Sequence, residues 1–256
     1  MIEIFIFCLG AIIGSFLNVC IYRIPKDYSL IVPSSFCPNC KSPIKWFDNI
    51  PLISYIILGG KCRNCKEKIS IRYLIVELIN AILFVLLYKK FGLSLEFLSN
   101  IVLFSFLIVI AFIDLEYQLI FDITSFPLIG IGFIFSLILP GWSLINSLIG
   151  MLVGAVTLLI VGYLSIVFFK KEGMGLGDVK LAAGIGTFLG WKGVLLTLIL
   201  SFFLGAIIGG ILILLHKKKM SGYIPFGPFI ALSNILVVFF NEKMFNIIMP
   251  IFRIYG

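Results

Sequence analysis

Two aspartates and four cysteines carry most of the chemistry legible in this chain. Asp114 closes the apolar run IVIAFIDLEYQLIFD, and Asp178 opens another in GMGLGDVKLAAGIG. Ionisable groups inside apolar segments are costly and are functional candidates by default. Two carboxylates brought together at low dielectric do not both ionise readily, so one keeps its proton. Such a pair can activate water against an amide and protonate the departing nitrogen. No Lys or Arg follows Asp114 in its loop, and Lys180, two residues beyond Asp178, points to another helical face. Gly175 and Gly177 are small enough to admit a neighbouring helix or an extended peptide. The plainer alternative makes both acids solvated helix ends, with Asp178 as a cap.

The cysteines form two C-x-x-C knuckles, CPNC (Cys37, Cys40) and CRNC (Cys62, Cys65), separated by 21 residues. That spacing matches a four-thiolate zinc site, each knuckle placing two sulfurs on one tight turn. Lys41, Lys61, Arg63 and Lys66 favour thiolate over thiol. Four thiolates leave no open position for water, so the role expected is structural. A loop of this size has little core of its own, and the metal supplies much of its folding energy. Cys8 and Cys20 lie in the first apolar run and read as packing residues.

Other chemistries fail on inventory. A zinc protease with H-E-x-x-H needs two histidines, and the single one here, His216, abuts three lysines. A serine–histidine dyad would depend on that same residue. GMGLGD resembles a dinucleotide fingerprint but follows an apolar span rather than a strand, and no G-K-[ST] is present.

These residues must be positioned by membrane helices. The chain has 256 residues, 61% apolar and 12% charged, against about 45–50% and roughly 25% in ordinary globular domains. Runs such as LIVELINAILFVLLY do not alternate as barrel strands do. The pattern predicts an all-α polytopic protein with about eight spans, near 2–22, 73–88, 97–116, 123–139, 144–169, 179–199, 194–215 and 225–241. The sixth and seventh overlap, with a turn expected at Gly190-Trp191-Lys192-Gly193; one over-long helix is the alternative. The tail after Asn241 is expected along the interface. Three segments follow: a first span (1–22), a cytoplasmic zinc loop (23–72) and a membrane core holding the acids (73–256).

Charge sets the orientation. Glu3 precedes the first apolar run while Arg23 and Lys26 follow it, the reverse of a cleavable signal. This reads as a retained span with its N-terminus outside. Fifteen of the twenty basic residues then fall in the first, third, fifth and seventh loops, on the cytoplasmic side. The net charge of +8 is therefore an orientation signature and implies a bilayer, not nucleic acid, as partner.

Taken in order, these motifs resemble the type IV prepilin peptidases, aspartic membrane proteases with a G-x-G-D motif. The resemblance runs through GSFLNVCIYRIP, the paired knuckles, ISIRYLIVEL, AFIDLEYQLIFD, GMGLGDVKLAAGIGTFLGW and IPFGPFIAL. It implies catalytic roles for Asp114 and Asp178, with Asp122 as second choice to Asp114, in an active-site loop containing Gly175 and Gly177. It further implies a bacterial inner-membrane protein that cleaves prepilins or pseudopilins at the cytoplasmic face, after a glycine ending a basic leader. Members that keep the cysteines commonly also methylate the new N-terminus with S-adenosylmethionine. Glu77, with Asn18 and Arg72, is the candidate for that half; a buried structural pairing of Glu77 with the Arg or Asn is the alternative. One departure stands out: Phe121 replaces the proline that usually precedes Asp122. The rival from another class is a proton-coupled transporter with a structural zinc loop, whose acids would sit near the membrane midplane.

Overall fold

The structure, a computed structural model, describes residues 1–170, 173–214 and 224–252, except for the side chains of residues 169, 213 and 241–252. Expectations resting on His216, on Lys171 and Lys217–Lys219, and on the side chains of the tail fall outside those residues. The described residues are helical or loop, apart from isolated β-bridges between Phe36 and Pro43 and between Lys61 and Lys68. The α-helices are α1 (Ile2–Arg23), α2 (Ile53–Ile57), α3 (Arg72–Phe91), α4 (Leu95–Tyr117), α5 (Asp122–Ile138), α6 (Leu144–Phe169), α7 (Leu176–Leu214) and α8 (Gly227–Phe252). Among the described residues, four runs are long and apolar enough to cross a membrane: Ile2–Lys26, Leu95–Tyr117, Leu144–Phe168 and Leu176–Leu212. α5 and the Gly227–Phe240 part of α8 are apolar but shorter. α3 carries Arg72, Glu77, Lys89 and Lys90 within its length.

Two compact units are present, Met1–Phe112 and Ile113–Gly256, with the boundary inside α4. In the first, α1 and α3 pack antiparallel: Glu3 meets Lys89 at one end, Gly10 faces Ala81 in the middle, and Gly14 faces Glu77. A Cβ at Gly14 would stand 2.8 Å from the Glu77 Cα, so the two backbones touch there. Apolar burial gives little drive between helices in lipid, and close backbone packing with polar links takes its place. Asn80 supplies one such link, donating to the Gly10 carbonyl at 2.7 Å, and Asn18 another, donating to the Tyr73 carbonyl at 3.0 Å. Of the two cysteines in α1, Cys20 is buried as expected, whereas Cys8 is exposed.

In the second unit α7 is the centre, packed by α5, α6 and α8. Its run of 39 residues is broken at Gly190, whose backbone (φ 67, ψ −177) is one that only glycine adopts freely. A Cβ at Gly154 of α6 would meet both the Ala182 carbonyl oxygen, at 2.5 Å, and Val194 Cγ2, at 3.0 Å. Twelve residues of straight helix span about 18 Å, so the chain doubles back at Gly190. The expected turn is therefore present, and the overlapping spans at 179–199 and 194–215 are corrected to two arms, 176–189 and 191–214. The first arm, at about 21 Å, is shorter than the ~30 Å hydrocarbon layer. Bare glycine surfaces let α6 reach it: Gly150 lies against Gly186 and Gly190, and Ser147 donates to the Thr187 carbonyl at 2.7 Å.

Candidate active site and metal centre

Asp114 sits in the last turn of α4 and Asp178 is the third residue of α7. Neither is solvated: their exposures are 3% and 4%. The plainer reading of two helix-end acids in water therefore fails, although Asp178 does cap its helix. The amide of Gly175, just before α7, donates to its carboxylate, while the Asp178 amide donates to the Gly175 carbonyl at 3.1 Å. That occupies one side of the carboxyl group. Its Oδ1 is buried without a hydrogen-bond partner. Both acids are buried, and the Asp114 carboxylate is near enough to Asp178 for the two to interact electrostatically.

Asp114 is held differently. The Gly227 amide, the first of α8, donates to its Oδ2 at 2.8 Å. A helix N-terminus presents unpaired N–H groups and the positive end of the helix dipole, and so favours a carboxylate. Any side chain at Gly227 would intrude, since a Cβ would lie 2.8 Å from that oxygen and 3.3 Å from the Asp114 Cβ. Gly227 lies in the IPFGPFIAL motif, but sequence reasoning gave it no role. Its contribution is a backbone N–H and an absent side chain, and the only sequence signal is Pro228 after it at a helix start.

The glycines before Asp178 have defined neighbours. A Cβ at Gly177 would meet Ile120 Cβ at 2.7 Å, and one at Gly175 would sit 3.3 Å from the Asp178 carboxylate. They give clearance for the α4–α5 connection and for the acid itself. Lys180 turns away from Asp178, as helical spacing requires, and pairs with the exposed Asp122 at 2.5 Å. Phe121, standing where a proline was expected, has φ −82 and ψ 142 before the start of α5. Its carbonyl accepts from the amides of Thr124 and Ser125 and from the Thr124 hydroxyl, which closes the turn into α5.

In the first unit, Cys37, Cys40, Cys62 and Cys65 converge, with all four sulfurs within 4.8 Å of one another. Cys37 and Cys65 are 3.8 Å apart and Cys40 and Cys62 4.0 Å. A tetrahedron with bonds of about 2.3 Å has edges near 3.8 Å, so the cluster fits a four-thiolate metal centre. The two knuckles fold alike. Lys41 and Lys66, one residue past each, are left-handed, and their amides close the turn onto Cys37 and Cys62. The Ser42 hydroxyl draws the Cys40 thiol down to about 6, backbone amides lower Cys62, and burial pushes Cys37 up to about 11. A two-pronged Arg63–Asp48 pair, at 2.6 and 2.7 Å, braces the second knuckle and holds the Asp48 carboxyl below its usual range.

Glu77 is buried in α3, where its Oε2 accepts the Leu52 amide at 2.8 Å and Ser15 adds a further hydrogen bond. Asn18 instead bonds backbone, and its Oδ1 is buried without a partner. Arg72 opens α3 with its guanidinium 5.3 Å from the Tyr73 ring. Ser15 and Leu52 both border a cavity of about 610 Å³ beside α1, which Arg23, Ser34 and Asn49 also line.

Comparison with known proteins decides the family. Residues 8–91 match the bacterial peptidase A24 N-terminal domain, and residues 101–210 match the type IV leader peptidase family. The chain belongs to the type IV leader peptidase family. It is 35% identical to the prepilin leader peptidase/N-methyltransferase of Pseudomonas aeruginosa, over 94% of this chain and 92% of that protein. The proteins of the same name from Aeromonas hydrophila and Neisseria gonorrhoeae are 36% and 32% identical, over 93% of this chain and 91% and 90% of theirs. No solved structure matches. The knuckles and both aspartates lie inside the matched regions, whereas IPFGPFIAL, at 224–232, lies beyond them.

Proposed function

We infer that this chain is a membrane aspartic endopeptidase that removes the leader of type IV prepilins or pseudopilins, and that it N-methylates the new terminus. Family membership supports both activities, and the buried pair Asp114 and Asp178 carries the assignment of cleavage to particular residues. Asp114, on the Gly227 amide, acts as the base and takes a proton from the attacking water. Asp178, whose Oδ1 has no other partner, carries the proton that polarises the scissile carbonyl and then passes to the departing nitrogen. Gly175 and Gly177 keep the approach to Asp178 low, and Asp122 stays an exposed ion-pair residue outside the chemistry. The acids sit at helix ends, which suits a peptide arriving at the membrane face rather than a proton path through the midplane.

Around this core we read three segments: the first span at 1–22, the cysteine loop at 23–72 and the protease core at 73–256. In this reading the chain is a multi-pass protein of the bacterial inner membrane, N-terminus outside and cysteine loop cytoplasmic. The core brings the number of spans to about eight, the two arms of α7 included. Zinc on the four cysteines staples the loop. S-adenosylmethionine, when bound, supplies the methyl group. The cavity beside α1 lies within the usual range for small-molecule sites, about 300–1,000 Å³. Glu77, hydrogen-bonded to Ser15 and Leu52 of its wall, is the residue proposed to accept a proton from the amine, with Asn18 and Arg72 as further candidates. The test is to incubate purified protein with a full-length prepilin and S-adenosylmethionine and weigh the product. A pilin lacking its leader and carrying one added methyl is expected. Unchanged prepilin would overturn the reading, and a cleaved, unmethylated product would overturn its second half.

A further inference from the structure

Between the knuckles the chain runs WFDNIPLISYIILGG, and from Ile50 to Leu58 it contains no charged residue. Its side chains are arranged inside out for a loop in water. The apolar ones face outward: Trp46 is 80% exposed, Ile53 54%, Ile56 70% and Ile57 74%. From Ile50 to Leu58 the two polar side chains are turned to the backbone: Ser54 is buried and donates to the Phe47 carbonyl at 3.1 Å, and the half-buried Tyr55 donates its hydroxyl to the Ile69 carbonyl at 3.2 Å, while Asp48 pairs with Arg63 and Asn49 is exposed at the edge of the stretch. In water the opposite pattern would be favoured, because apolar surface gains by leaving water.

The depth of the stretch is fixed by a second observation. The Leu52 amide donates to Glu77, five residues into α3 and therefore about 7.5 Å along it. Glu77 in turn lies level with Gly14, well inside α1. Ile50 to Ile53 also wall the cavity that runs along α1 beside Ala11, Ser15 and Val19. The segment thus lies alongside these two helices, not beyond their ends. At its rim, Lys45 and Arg63 sit 5.7 and 5.5 Å from the Phe47 ring, and Trp46 stands next to it. Aromatic rings with flanking cations are typical of the boundary between headgroups and acyl chains.

We propose that Trp46–Ile57 is a membrane-inserted segment, with its isoleucine face in the bilayer and the Leu52–Glu77 hydrogen bond anchoring it at that depth. The occupant of this surface is lipid, and the cysteine loop is tethered to the membrane at its middle as well as at both ends. The proposal rests on α1 spanning the bilayer, and the test separates the two. A protein whose only tryptophan is Trp46, made with Trp142→Phe and Trp191→Phe, is reconstituted into phosphatidylcholine vesicles. Quenching by lipid brominated near the headgroup is compared with quenching by aqueous iodide. A matched protein with Phe16→Trp as the sole tryptophan reports on α1. The difference between wild type and Trp46→Phe repeats the measurement with the other tryptophans in place. The expected result is loss of most Trp46 emission to the brominated lipid and little to iodide. Strong iodide quenching with no lipid quenching would put the segment in water. Shielding from both would mean that protein, such as a second copy, covers it. Either overturns the proposal while the Phe16→Trp signal still reports on the span.

Discussion

Two carboxylates, Asp114 on the first amide of α8 and Asp178 with one buried oxygen left unpartnered, are the residues proposed to carry cleavage. The hydrogen bond from Gly227 to Asp114 is of the charge-assisted kind, worth about 1.5–3 kcal/mol. Gly227→Ala forces the added methyl against Asp114 and displaces it from that amide. The expected loss in cleavage rate is about 10- to 100-fold, read by following leader removal over time. Asp122→Asn should behave differently. It breaks only the exposed pair with Lys180, a class of interaction worth about 0–1 kcal/mol, so the same assay should return a near-normal rate. A large loss there would move the catalytic role to Asp122. Asp114 and Asp178 were legible as candidates in the sequence because an inventory poor in histidine leaves few other groups able to activate water against an amide. Gly227 was not, since a backbone N–H has no side-chain signature.

Among the elements, the doubled-back α7 and its contact with α6 hold Asp178 in place. The crossing has no space to give, since a Cβ at Gly150 would come within 2.7 Å of the Gly190 Cα and one at Gly186 within 2.8 Å of the Met151 amide nitrogen. Gly150→Val or Gly186→Val should lower stability by at least the ~1–3 kcal/mol typical of overpacking, measured by unfolding in mixed detergent micelles. Stability equal to wild type would mean that the helices do not meet there. The reversal at Gly190 could be anticipated from Gly-Trp-Lys-Gly, but its boundaries could not. Apolar residues continue on both sides, and in a membrane chain the periodicity that would mark a helix end in water is absent. The wrong estimate, two overlapping spans, came from counting a full membrane width for an arm of about 21 Å.

Across the whole molecule, the two proposed sites fall in different compact units. Asp114, Asp178 and Gly227 belong to the second, while the cysteine cluster and Glu77 belong to the first. One zinc per chain is expected by metal analysis. Removing it with a strong chelator should open residues 27–70 to proteolysis and abolish methylation while leaving most of the leader cleavage. Equal loss of both activities would mean that the metal supports the membrane core as well. The cysteine cluster was readable from spacing alone, because tetrahedral thiolate binding imposes it. The apolar stretch between the knuckles was concealed by its setting in a loop otherwise rich in proline, cysteine and charge. Only its depth and the direction of its side chains reveal what it faces.

Whether Asp114 and Asp178 cleave the leader together can be decided by separating the two activities in one protein. Asp114→Asn and Asp178→Asn keep the shape of each site while removing its acid–base function. Each variant is given prepilin in one reaction and already cleaved pilin with labelled methyl donor in another. The account predicts that cleavage falls by about 10²- to 10⁴-fold or more in both variants, with methyl transfer retained. Cleavage at the wild-type rate by either variant would contradict it.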